Sequence, residues 1–125
     1  MLNTEIYDVG SLHSTATNTA RMTIPAGGTG LYLVTGKVGW PSNATGDRLL
    51  SITKNATGSA HDTINVQVGQ TTGTGVQSQD VTTIMELTAG DYIEMDVYQT
   101  SGGALIIGGD GGQYYTCKLQ IVKLW

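Results

Sequence analysis

The chain has no phenylalanine, one cysteine, two prolines and two histidines, and only 13% of its 125 residues are charged. Each scarcity removes a class of function. A lone thiol, Cys117, can form neither an intrachain disulfide nor a cysteine cage for zinc. Six Lys and Arg stand against ten Asp and Glu, for a formal net charge of -4. That is too little positive charge to follow a phosphate backbone or hold an anionic bilayer surface, so no nucleic acid is expected as a partner. No apolar run approaches the roughly 20 residues of a membrane-crossing helix, so no membrane insertion is expected. Residues 1–6 carry neither a charged n-region nor an apolar h-region. The expectation is a protein not exported by a cleaved signal, or a domain cut from a longer chain.

What is abundant is glycine, with 18 residues, together with threonine. Short alternating runs recur between Gly-, Thr-, Asn- and Ser-rich breaks, and no window carries a helical period, which predicts an all-β fold. At this length a chain buries about two-thirds of its unfolded surface, so residues 1–125 are read as one domain with its own core. In residues 31–40, Tyr32, Val34, Val38 and Trp40 share one face with Gly36, and Leu33, Thr35 and Lys37 share the other. Ile93, Met95 and Val97 alternate with Tyr92, Glu94 and Asp96. Further strands are expected at residues 5–9, 21–24, 48–54, 64–68, 78–87, 104–107 and 114–124. Val81, Thr83, Met85 and Leu87 fall on one side of the run 78–87. Cys117, in alternation with Tyr115, Leu119 and Ile121, reads as a core thiol, and Trp40 as a core indole in preference to a sugar platform.

Nothing in the sequence assembles a catalytic centre. His13 and His61 stand far apart in loops without metal-ligand spacing. Ser59, His61 and Asp62 could form a triad only by chance, because no strained nucleophile turn or oxyanion hole accompanies them. Glu94 and Asp96 share a strand face but read as a solvated exterior beside Glu86 and Asp91. The run Gly108-Gly109-Asp110-Gly111-Gly112 lacks the Lys-Ser/Thr of a phosphate loop. Asp110 and Asp47 lack the dense acidic pattern that calcium needs. No catalytic residue, metal or cofactor is expected. The sequons at Asn43 and Asn55 matter only after eukaryotic secretion.

Several motifs resemble the jelly rolls of the complement C1q and tumour-necrosis-factor superfamily. They are Pro25-Ala26-Gly27, Gly30-Leu31-Tyr32-Leu33-Val34, Leu87-Thr88-Ala89-Gly90-Asp91-Tyr92-Ile93 and a last strand that ends the domain. Residues 18–40, followed by Asn43-Ala44-Thr45-Gly46-Asp47-Arg48, look most like the C1q-like heads of bacteriophage fibres. Val34 and Tyr115 stand where that family usually has Phe. The resemblance implies an antiparallel jelly-roll β-sandwich of about ten strands that forms a homotrimer and catalyses nothing. It places Leu33, Thr35, Lys37, Thr82, Ile84 and Tyr114 at the trimer interface, and strand 5–9 beside residues 119–124.

The function it implies is the head of a phage fibre or capsid decoration, at the virion surface or outside the cell, binding a host receptor or glycan. A structural trimerisation cap and a secreted C1q-like binding or signalling domain are the alternatives. Ligand-binding residues are expected in the polar loops 41–47 and 69–77.

Overall fold

The structure is a computed structural model that describes residues 4–56, 63–70, 75, 77–107 and 117–125, with only the backbone path for 63–70. Among the described residues the chain is all-β with no helix. Its seven strands are β1 (Arg21–Thr23), β2 (Gly30–Trp40), β3 (Asp47–Lys54), β4 (Thr63–Gln70), β5 (Gln77–Leu87), β6 (Tyr92–Gln99) and β7 (Lys118–Lys123). They form two antiparallel sheets, of order β1-β6-β3-β4 and β5-β2-β7.

The pairings are nested. β3 pairs with β4, β2 with β5 and β1 with β6, so each pair encloses the one before it in sequence. Successive nested pairs alternate between the sheets. Two further pairings, β3 with β6 and β2 with β7, join them laterally.

The alternation of β2 sets the position of the core. Tyr32, Val34, Val38 and Trp40 are buried, and they meet Val81, Met85 and Leu87 of β5 and Leu119 of β7. The facing sheet contributes Leu50, Ile52 and Ile93 to the same cluster. This is the face-to-face contact of two sheets with apolar inner sides, compatible with a β-sandwich. Burying such a side chain stabilises the fold by roughly 1.5–3 kcal/mol. Gly36 keeps the inward side of β2 thin where the sheets approach. A Cβ there would lie 3.2 Å from Met95 Sδ and 3.3 Å from Val81 Cγ1.

Two expected strands do not form. Among the described residues, residues 5–9 have no ladder partner, and Ile6, Tyr7 and Val9 are all exposed. The Asp8 carboxylate accepts the amides of Leu12 and His13, both at 3.0 Å. Ser11 takes a φ of 53°. The local side-chain capture turns the chain where extension was expected. The segment and β7 nevertheless both line an apolar cavity of about 750 Å³ whose walls include Leu12, Met22 and Ile121. Residues 104–107 keep their alternation, with Leu105 and Ile107 packed on the core and Ile106 exposed, but they pair with no strand among the described residues. The closing strand begins at Lys118 in the described chain, and Tyr114 and Tyr115 lie outside the described residues.

Candidate functional site

The outer face of the sheet β5-β2-β7 carries five of the six residues expected at an interface. Register sets them in rows across the strands. Asp80, Lys37 and Lys118 form the first row and Thr82, Thr35 and Gln120 the second. The third is Ile84, Leu33 and Val122. The Thr35 and Thr82 hydroxyls lie 3.2 Å apart, and Lys37 Nζ is 3.8 Å from Asp80 Oδ1. Ile84, within β5, is 57% exposed, and Val122, near the end of β7, is 53% exposed. Leu124 and Trp125 continue the apolar surface beyond them. The sixth residue, Tyr114, lies outside the described residues.

The second region is the end of the molecule beyond Trp40. Loop 41–47 is built on Arg48, which is fully buried. Arg48 has the strand parity of Leu50 and Ile52, so it points inward, and among the described residues no carboxylate pairs with it. Its Nη1 donates to the Thr45 carbonyl at 3.0 Å and the Asp47 carbonyl at 2.9 Å, and its Nη2 to Asn43 O at 3.4 Å. The guanidinium lies 5.7 Å from the centroid of the Trp40 ring, within range of a cation–π contact. The indole N–H donates to Gln79 Oε1 at 2.7 Å, and Gln79 in turn donates to Arg48 O at 3.1 Å.

The two loops expected to bind a ligand are neighbours here. The Gly75 amide donates to Ser42 Oγ at 3.1 Å. Residues 71–74 and 76 lie outside the described chain. Residues 99–101 join the same end. The Asp47 amide donates to Thr100 Oγ1 at 2.8 Å, and the Thr100 amide to Asp47 O at 3.1 Å.

No protein-family model and no curated protein matches the chain. Function therefore has to be read from these surfaces.

The acidic residues serve the fold. Asp91 closes the turn after β5, where Gly90 takes a φ of 93°. It accepts Lys54 Nζ at 2.8 Å, Asn55 Nδ2 at 2.7 Å and the Thr88 amide at 2.8 Å. The Lys54 ammonium first, then Asn55 and Thr88, hold its carboxyl well below the usual range. Asn55 is thereby engaged at both ends of its amide, since its Oδ1 accepts the Tyr92 amide at 2.9 Å. Glu94 pairs with Arg21 at 3.5 Å, and Arg21 stacks 4.0 Å from the Tyr92 centroid. Asp96 accepts Thr53 Oγ1 at 3.0 Å.

His13 is half-buried between Glu5 Oε1 at 3.6 Å and Thr19 O at 3.3 Å. Among the described residues, no three His, Cys, Asp or Glu side chains gather at metal-binding distance. Ser59, His61, Asp62 and Asp110 lie outside the described residues.

Two features escaped the sequence reading. In the sequence Arg48 reads as the start of a strand, and its parity with Leu50 is the signal that places it inward. Tyr98 is 62% exposed and sits opposite Leu49, one residue from Arg48. It continues the period of Tyr92, Glu94 and Asp96, and that period was the available signal. Trp40, by contrast, is buried and offers no face to a sugar. Cys117 is half-buried at the cavity wall.

Proposed function

We propose that this chain is a non-enzymatic jelly-roll head that assembles as a homotrimer and presents loops 41–47 and 69–77 to a host-surface glycan or receptor. Its setting is the distal end of a phage fibre or a capsid decoration, at the virion surface or outside the cell. The carrying observation is the apolar row Ile84–Leu33–Val122 on the open face of β5-β2-β7. A sheet face with large aliphatic side chains at its centre is stabilised when another surface covers it. The nested pairings support the jelly-roll reading, because a hairpin of hairpins rolled into two sheets has this connectivity. By the same nesting, the segment before β1 belongs beside β7, and the cavity shared by residues 4–10 and β7 supports that reading.

The ligand-binding step rests on the convergence of Ser42, Gly75 and Thr100 at one end, with Tyr98 as an exposed aromatic beside them. A trimerisation cap without a ligand is the second reading. It is favoured by the use of the Asn43, Thr45 and Asp47 carbonyls to hold Arg48, since those acceptors are then engaged within the chain. Size-exclusion chromatography with light scattering, followed by a glycan array on the same sample, tests both. A mass of three chains with glycan binding is expected. A trimer that binds no glycan or host cell selects the cap, and a monomer overturns both.

A further inference from the structure

The rows on the open face differ in chemistry from one edge to the other. The outward residues of β5 are Asp80, Thr82, Ile84 and Glu86. Those of β7 at the first three levels are Lys118, Gln120 and Val122. Level by level, acid stands against lysine, hydroxyl against amide, and isoleucine against valine. Within one chain these edges cannot meet, because β2 lies between them. Two strand spacings set them about 10 Å apart. Among the described residues, no carboxylate lies within ion-pair distance of Lys118, and its register neighbour Lys37 has the same charge.

We propose that the open face mates with a second copy of this chain through a heterologous contact, β5 of one copy against β7 of the next at equal level. Lys118 then pairs with the neighbour's Asp80 and Val122 packs on the neighbour's Ile84. Any rotation about an axis along the strands that turns the faces inward, two-fold or three-fold, joins these unlike edges at equal level, so charge sets the edges and the register. A two-fold axis across the strands brings Asp80 opposite Glu86 when β5 meets β5. Like charges directly opposite are destabilising. Rotation about an axis along the strands keeps the levels and joins unlike edges, and a heterologous contact of that kind closes into a ring. This proposal rests on the trimer reading for the number of copies and adds which edges meet and at what register.

Engineered cysteines test it. In a Cys117→Ser background, Asp80→Cys and Lys118→Cys together are too far apart for an intrachain bridge, which needs Cα atoms roughly 4.4–6.8 Å apart. Mild oxidation should convert the double variant to covalent trimers on non-reducing electrophoresis, while either single variant stays uncrosslinked. Ile84→Cys with Val122→Cys provides a second pair at the apolar level, and it decides the question if the first pair fails to fold. If light scattering finds a trimer but neither pair crosslinks, or if Asp80→Cys alone forms dimers, this contact is overturned and the trimer stands. If the parent chain is a monomer, the trimer reading falls and the contact with it.

Discussion

Ser42 Oγ accepts the Gly75 amide at 3.1 Å, so the β2–β3 and β4–β5 connections, each of which crosses between the sheets, meet at one end of the protein. Replacing residues 70–76 with a short Gly/Ser linker should leave the assembly folded and weaken attachment to glycan or host cells. A matching replacement of residues 42–46 should do the same. With so few Lys and Arg, attachment should also change little between low and physiological salt. If both replaced proteins attach as well as the parent, the loops carry no ligand.

Ile84→Asp separates assembly from folding. The side chain is 57% exposed in the single chain, so the monomer should lose no more than about 0.5 kcal/mol. In the trimer it places three unpaired carboxylates in a covered face, at a cost of several kcal/mol. Light scattering should report monomers that melt as a cooperative unit. A trimer with an unchanged melting temperature would remove Ile84 from the interface.

Arg48→Leu removes the donors to the Asn43, Thr45 and Asp47 carbonyls. Each hydrogen bond to a charged group is worth about 1.5–3 kcal/mol, and the shared geometry prevents simple addition. A loss of about 3 kcal/mol in urea unfolding is expected, with faster amide exchange confined to residues 43–47. A loss below about 0.5 kcal/mol would mean that the loop holds itself.

The Asp91 carboxyl has a lowered pKa in the folded chain, chiefly through Lys54. Its contribution is fully present above the unfolded value of about 3.9 and fades as pH falls below that toward the lower native value. Urea midpoints measured from pH 5 down to pH 2 should therefore fall more steeply for the parent than for Asp91→Asn. The variant should be weaker by about 1–3 kcal/mol at neutral pH, and the difference should shrink toward the acid end. Parallel profiles would assign the acid sensitivity to other carboxylates.

Much of the architecture was legible because a half-buried strand writes its burial at every second residue. Tyr32, Val34, Val38, Trp40, Val81, Met85 and Ile93 were all assigned inward by parity, and all are buried. Parity says nothing about partners. Residues 5–9 alternate as well as some true strands do, yet Asp8 folds back onto the amides of Leu12 and His13 and the segment joins no ladder among the described residues. Residues 104–107 alternate, pack on the core and still join no ladder. Arg48 was missed because a charge at an inward position is read as exposed unless its carbonyl partners can be seen, and those lie in a loop without a pattern.

The two ends of β3 differ in their response to acid. At one end, Arg48 is held by backbone carbonyls, none of which titrates. At the other, Lys54 depends on Asp91, beside the turn near the chain's C-terminal Trp125 and the β2 residue Leu31. The protein thus has an acid-inert pole and an acid-labile pole. Acidification would loosen the Trp125 end first while the loop end kept its shape.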